Sequence, residues 1–274
     1  MKPPTFLEST RWTAEHWEDG QLIHRLGRVG NELVAEWAGL AWLRASRDGS
    51  SYELVADPTI DPFGLEKLKN GAVSALLHQL RGGIALHASS VALNGKAVAC
   101  TAGSGFGKSS TAAAFCARRG GELLADDMTQ LEFSSEGIAV LPSERHHVLT
   151  EESCRVLGFQ PLSGHTFDEE ETKCGVVPAR VAEGLVPLAA IIKLEWSDTF
   201  RLARIRGHDV LAALLPSVSR FVLDEQEAQL TEFRRLERLV GGVPIYVLAR
   251  PRDFGRLEAT LDLLEAITRG DPVE

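Results

Sequence analysis

The chain has 274 residues, 44% of them hydrophobic, enough for one sizeable core or a core with a small appendage. Its formal charge of −9 argues against a broad nucleic-acid or anionic-membrane surface, while leaving room for a single basic pocket inside an acidic shell. No apolar run approaches membrane-spanning length, and the polar start of the chain does not read as a signal peptide. Cys100, Cys116, Cys154 and Cys174 are scattered without a Cys-x-x-Cys pair, which predicts reduced, buried thiols in a cytoplasmic protein and argues against zinc.

Residues 1–63 read as short β segments. Strand-like stretches cover 32–45, Arg47-Asp48-Gly49-Ser50 is a turn signal, and 52–55 returns as a strand before Pro58 and Pro62. A small β-rich N-terminal subdomain is expected there, with residues 64–274 as the main domain. Residues 64–82 predict an amphipathic helix with Leu65, Leu68, Leu76, Leu77 and Leu80 on one side, stopped by Gly82-Gly83.

Apolar runs at 84–93 and 96–101 flank Asn94-Gly95, the strongest short hairpin signal, usually a type I′ turn. If Leu93 faces Lys96, the register pairs Val91 with Val98, Ser89 with Cys100 and His87 with Ala102. His87 then sits beside the loop that follows, within about 7 Å of the Lys108 amine, the reach of diagonal cross-strand neighbours.

That loop is the most informative feature. Residues 101–111 read Thr-Ala-Gly-Ser-Gly-Phe-Gly-Lys-Ser-Ser-Thr between an apolar strand and an alanine-rich helix. Successive backbone N–H groups in such a loop form a nest for phosphate oxygens, and the helix N-terminus adds partial positive charge. The candidate nucleotide-binding residues are Gly103, Ser104, Gly105, Phe106, Gly107, Lys108, Ser109 and Ser110. Lys108 would reach the β/γ-phosphates, and the Ser109 hydroxyl would ligate Mg²⁺. Ala102 stands where glycine usually opens the pattern, so its φ must be negative or the loop slightly distorted.

Beyond the helix, Gly120-Gly121 is a stop and 122–125 a short apolar strand ending in Asp126-Asp127. Residues 129–133 and 138–141 read as a hairpin. Thr150 N-caps a helix running through Leu157, with Glu151 and Glu152 in its first turn. Residues 160–175 read as a polar loop with an acidic run at 168–171. Residues 188–196 and 200–205 read as paired strands, and 209–240 as mainly helical with a break near Pro216. A last buried strand at 244–248 precedes a closing helix at 253–269. Hairpins are mixed with helices, so the fold class is α/β with a mixed, largely antiparallel sheet.

A carboxylate at a strand end after a phosphate loop commonly holds Mg²⁺. Two adjacent ones can divide labour, with one serving the metal and the other taking a proton from an incoming hydroxyl.

At this point the residues resemble a family. Leu86-His87-Ala88-Ser89, the loop from Ala102 to Ser110, Arg119-Gly120 and Leu124-Ala125-Asp126-Asp127 look like the catalytic half of HPr kinase/phosphorylase and its relatives. That half is similar in fold to ATP-dependent phosphoenolpyruvate carboxykinase. The resemblance covers residues 86–127 firmly and runs loosely on to 244–264. It implies Mg²⁺- and ATP-dependent phosphorylation of a serine hydroxyl on a peptide or protein, with His87 near the phosphates, Asp127 as base and Asp126 at the metal. The Glu-Ile-Arg-Gly-Leu-Gly-like signature of the bifunctional enzymes is missing, and the N-terminal part is too short for their regulatory domain. The chain looks more like single-chain HPr-kinase-related proteins, some of which modify ribosomal peptides, including lasso-peptide precursors. Their loop lysine corresponds to Lys173, so Lys173 or Arg180 is expected to close over the phosphates, against the alternative of a solvated loop charge. Glu144, His146 and His147 follow a strand and belong either to the same cleft or to an exposed turn. The family precedent is compatible with a homo-oligomer.

Two other readings stay open: a kinase for a small hydroxylated metabolite, and a nucleotide-binding regulatory module with little turnover. A GTPase lacks its Asn-Lys-x-Asp motif here, and a transporter ATPase its Leu-Ser-Gly-Gly-Gln signature.

Overall fold

The computed structural model describes residues 4–162, 173–221 and 226–273. After a 3₁₀ turn come β1 (Arg11–Glu18), β2 (Gln21–Val29), β3 (Glu32–Trp37), β4 (Ala41–Ala45) and β5 (Tyr52–Ala56), paired antiparallel in chain order. Asp19 and Gly20 both have positive φ and close the β1–β2 hairpin. Strand β1 is exposed along nearly its whole length, whereas β3 and β4 bury Leu33, Val34, Ala35 and Leu43.

The amphipathic helix expected over 64–82 is two helices, α1 (Pro62–Leu68) and α2 (Ser74–Leu80), joined by a π turn at Lys69–Val73. Asp61 caps α1 by accepting from the N–H groups of Phe63 and Gly64. The π turn holds Gly71, where an added Cβ would lie 3.3 Å from the Glu144 Oε1. The missing side chain lets the turn press against that buried carboxyl group. Leu68, Leu76 and Leu77 pack on the inner face of the N-terminal sheet.

The rest of the chain supplies β6 (Ile84–Leu93), β7 (Lys96–Thr101), α3 (Lys108–Arg119), β8 (Glu122–Ala125), β9 (Met128–Ser134), β10 (Gly137–Leu141), β11 (His147–Thr150), α4 (Glu151–Leu157), β12 (Lys173–Val176), β13 (Val186–Trp196), β14 (Arg201–Arg204), α5 (Asp209–Leu214), β15 (Val218–Ser219), α6 (Gln226–Gly242), β16 (Ile245–Arg250) and α7 (Leu257–Arg269). The large sheet runs in the order β10-β9-β6-β7-β13-β16-β14, with β8 and β15 pairing to β6. β7, β13 and β16 are parallel, and the other pairings are antiparallel. Phe115, Leu261 and Leu264 from α3 and α7 fill one core beside the sheet, and Val210, Leu214, Leu236 and Leu239 from α5 and α6 fill another.

The β6–β7 register is the expected one: Leu93 faces Lys96, Val91 faces Val98 and Ser89 faces Cys100. Asn94 at φ 53 and Gly95 at φ 72 fit the type I′ turn.

Other expectations are corrected. Strands β13 and β14 do not pair with each other, because the later β16 inserts between them, parallel to one and antiparallel to the other. The loop expected over 160–175 ends in β12, which pairs with β11. The break near Pro216 contains β15, which covers part of β6. The closing helix begins at Leu257 after a 3₁₀ turn capped by Asp253. All four cysteines are free and buried. No helix among the described residues is long and apolar enough to cross a membrane.

Candidate functional site

Three parallel strands deliver their C-terminal ends to one edge of the sheet: β7 at Thr101, β13 at Trp196 and β16 at Arg250. Open parallel sheets collect ligands at such an edge. The glycine loop leaves β7 here and feeds α3. Gly105 and Gly107 take φ of +79° and +81°, which a side chain would disfavour. Gly107 has a second reason to be glycine, since an added Cβ would lie 2.9 Å from Arg250 Nη2. Ala102 stays outside the positive-φ region, so its Cβ is accommodated without strain. Gly103 does so too, and is not used for left-handed geometry.

Lys108 folds back over the loop. Its ammonium donates to the carbonyls of Ala102 at 3.0 Å and Gly103 at 3.2 Å, and lies 3.1 Å from His87 Nε2. A charged ammonium can only donate, so Nε2 is the acceptor and the ring proton sits on Nδ1. His87 Nδ1 is 3.1 Å from Asp127 Oδ1. The three side chains form a line from carboxylate through imidazole to ammonium. Burial holds the Lys108 pKa below its usual value, with the Asp127 charge working against that and the nearby Lys173 adding to it. For Asp127, burial pushes upward, but the hydrogen bond and charge of His87, with Lys67 and Lys108, outweigh it and leave the carboxyl below its usual value.

The neighbouring carboxylate is placed differently. Asp126 is 3% exposed, and its Oδ2 accepts the Val148 N–H at 2.8 Å. Its Oδ1 has no hydrogen bond and lies 3.5 Å from the Nδ1 of fully buried His147. The turn carrying both acids is held from behind by Glu144. One oxygen of Glu144 accepts the backbone N–H groups of Asp126, Asp127 and Met128 at 2.9, 2.7 and 3.1 Å. Burial, and then the charges of Asp126 and Asp127, push the Glu144 carboxyl up to about 7.

The cleft in front of the loop has a volume of about 340 Å³. His87, Asp126, Asp127 and Lys173 line it together with Ser104, Gly105 and residues 107–110. Gly103 and Phe106 belong to the loop but not to the cleft wall. Lys173 reaches the cleft from the first position of β12. The acidic run at 168–171 lies outside the described residues. Arg180 does not line the cleft. It pairs with Glu122 and donates to the Gly120 carbonyl, because its backbone is tied to the start of β8, the end away from the twin acids. Glu144 and His146 border a separate small crevice beside α1, and His147 is sealed in the interior, so none of the three lines the cleft.

Arg250 is the residue that sequence reasoning missed. It is 6% exposed, and its Nη2 donates to Thr111 Oγ1 at 2.9 Å and to the carbonyls of Phe106 and Gly107 at 3.3 and 3.5 Å. Its Nε is buried without a partner, and burial holds its pKa below the usual value. The apolar run of the last strand ends at Leu248, and nothing local marks an arginine two residues later as buried. Trp196 was missed for a similar reason. It sits opposite Arg250 across the parallel pairing, and its ring stacks on Phe106 at 5.9 Å.

No family model and no curated protein matches this chain. Among solved structures, the HPr(Ser) kinase/phosphatase from Coxiella burnetii is similar. The match is 13% identical with a TM-score of 0.35, and covers 66% of this chain and 93% of that one. A likeness of that size carries no weight for function.

Proposed function

We propose that this chain is an ATP- and Mg²⁺-dependent phosphotransferase of the HPr-kinase-like type, passing the γ-phosphoryl group to a serine hydroxyl of a peptide or protein. The observation that carries the reading is the Asp127–His87–Lys108 line at the mouth of a glycine loop. Each member has a task there. Lys108 now satisfies its protons on loop carbonyls and His87, and a triphosphate in the loop would take them over. His87, relieved of that contact, keeps its Nδ1–H on Asp127, and its Nε2, an acceptor in this tautomer, takes up a proton from solvent before it donates to a phosphate oxygen. Asp127, kept ionised at neutral pH, accepts the proton of the acceptor hydroxyl as its oxygen bonds to the γ-phosphorus and the bond to the β-γ bridging oxygen breaks. ADP leaves with that oxygen.

The donor set suits magnesium, a hard cation that takes oxygen ligands and usually shares them with phosphates. Asp126 keeps a buried carboxylate oxygen without a hydrogen bond, and Ser109 lines the same cleft. These two would hold the ion, which when bound neutralises charge on the transferring group. Lys173 adds a cation on the cleft wall.

The test is transfer of label from γ-labelled ATP with Mg²⁺ to serine-containing peptides. Phosphoserine product supports the reading. Label passing only to small hydroxylated metabolites would remove the peptide acceptor and keep the chemistry. Hydrolysis-free binding without any transfer would reduce the chain to a nucleotide-binding module.

A further inference from the structure

The two sides of the glycine loop differ in character. In the sheet, β7 lies between β6 and β13, so His87 and the twin acids flank one side and the ends of β13 and β16 flank the other. A triphosphate whose terminal phosphate meets Asp127 and whose chain crosses the loop brings its other end toward β13 and β16. The cleft wall there carries Trp196, Pro251, Phe254 and Leu257, interleaved with the charged Arg250, Arg252 and Asp253 and lining the same cleft as the phosphate loop.

Trp196 is half-buried and already fixed. Phe106 stacks on it with an interplanar angle of 13°, and the Arg250 guanidinium lies 5.1 Å from its ring centroid. An aromatic ring immobilised before binding loses little entropy when a planar ligand stacks on it. A π-face also accepts any base without reading its edge.

We propose that Trp196 is the stacking platform for the nucleobase of the phosphoryl donor, with Phe254 and Pro251 completing the wall. The site then takes nucleoside triphosphates in preference to inorganic tripolyphosphate or pyrophosphate. This inference rests on the phosphate-loop reading of the previous subsection.

The sequence makes the test clean. The other four of the five tryptophans, Trp12, Trp17, Trp37 and Trp42, all lie in the N-terminal sheet, so Trp196→Phe supplies the fluorescence blank for Trp196. Calorimetry with Mg²⁺ would compare ATP, GTP and tripolyphosphate on the full chain. ATP and GTP should quench the Trp196 emission and bind at least about ten-fold more tightly than tripolyphosphate. Trp196→Ala should bring ATP down to the tripolyphosphate level and leave tripolyphosphate unchanged, while Trp196→Phe should keep most of the ATP affinity. Equal binding of ATP and tripolyphosphate by the wild type would overturn the platform and leave the phosphate loop standing. So would a Trp196→Ala variant that weakens both equally, since Trp196 would then act only by shaping the loop through Phe106. Quenching by an acceptor peptide alone, with none by nucleotide, would overturn it as well. If neither ATP nor tripolyphosphate binds, the phosphate-loop reading falls first and takes this one with it.

Discussion

On the β6 flank of the glycine loop the two charged groups are linked through a neutral imidazole: Asp127 to His87, and His87 to Lys108. On the β16 flank Arg250 is buried with hydroxyl and carbonyl acceptors only, and one of its nitrogens has no partner at all. Both flanks touch the same loop, yet they store charge differently. A neutralised chain of donor and acceptor is suited to moving a proton. A buried cation without a carboxylate among the described residues leaves its field free for an incoming anion. The difference teaches that proximity to the loop does not define a role, whereas the counter-charge does.

The sharpest way to break this comparison is Asp127→Asn. It keeps the shape and the nucleotide contacts but removes the proton acceptor, so phosphoryl transfer should fall by roughly 10²–10⁴ with ATP affinity intact. Single-turnover kinetics beside calorimetry separates the two. Equal loss of both would assign Asp127 to binding.

Arg250→Met probes the other flank. Removing charge-assisted hydrogen bonds should weaken triphosphate binding by about ten- to a hundred-fold. The ligand-free protein should hold its urea midpoint or gain, because an unpaired buried charge costs stability. A large loss of stability with unchanged triphosphate affinity would make Arg250 a structural brace.

Glu144→Gln addresses the support behind the twin acids. Glu144 is raised from 4.5 to about 7, so the folded chain holds this proton more tightly than the unfolded chain. Its contribution to stability is therefore present at low pH and lost as pH rises from about 4.5 to about 7. Urea midpoints of the wild type should carry that downward component through this window, and the glutamine variant should lack it. An unchanged slope would show that Glu144 titrates normally.

The smallest effects compare two hairpins closed by the same turn chemistry. Gly95→Ala forces a side chain into positive φ and should cost about 1–2 kcal/mol of global stability, because β6 and β7 are clamped on both sides. Gly20→Ala meets the same local penalty but should barely move the global urea transition, since β1 is an exposed edge strand that can fray alone. Equal losses would mean that the β1–β2 hairpin folds as part of the main core.

Much of the β6 flank was legible because it is local. Asn94-Gly95 fixed the pairing of β6 with β7, and a period-two count from Leu93 carried that register to His87. The glycine loop and the twin acids announced themselves by spacing. The N-terminal hairpin was less visible, although Asp19-Gly20 carries the same turn signal. Strand β1, with the sequence Arg-Trp-Thr-Ala-Glu-His-Trp-Glu, is solvated on both faces and has no alternation to read. Strand β15 is two residues long and exists only because β6 offers it an edge. Glu144 read as either a cleft residue or an exposed turn residue, and its three backbone partners come from a turn sixteen to eighteen residues away.

By itself, then, the sequence determined what short-range physics can encode: the turn types, the strand–loop–helix and the facing of His87 onto it. Tertiary structure alone decided the insertion of β16 beside β13, the burial of Arg250 beneath the loop, the grip of Glu144 on the twin acids and the exclusion of Arg180 from the cleft. These depend on strand order and on desolvation, which are properties of the assembled sheet. No window of neighbouring residues contains them.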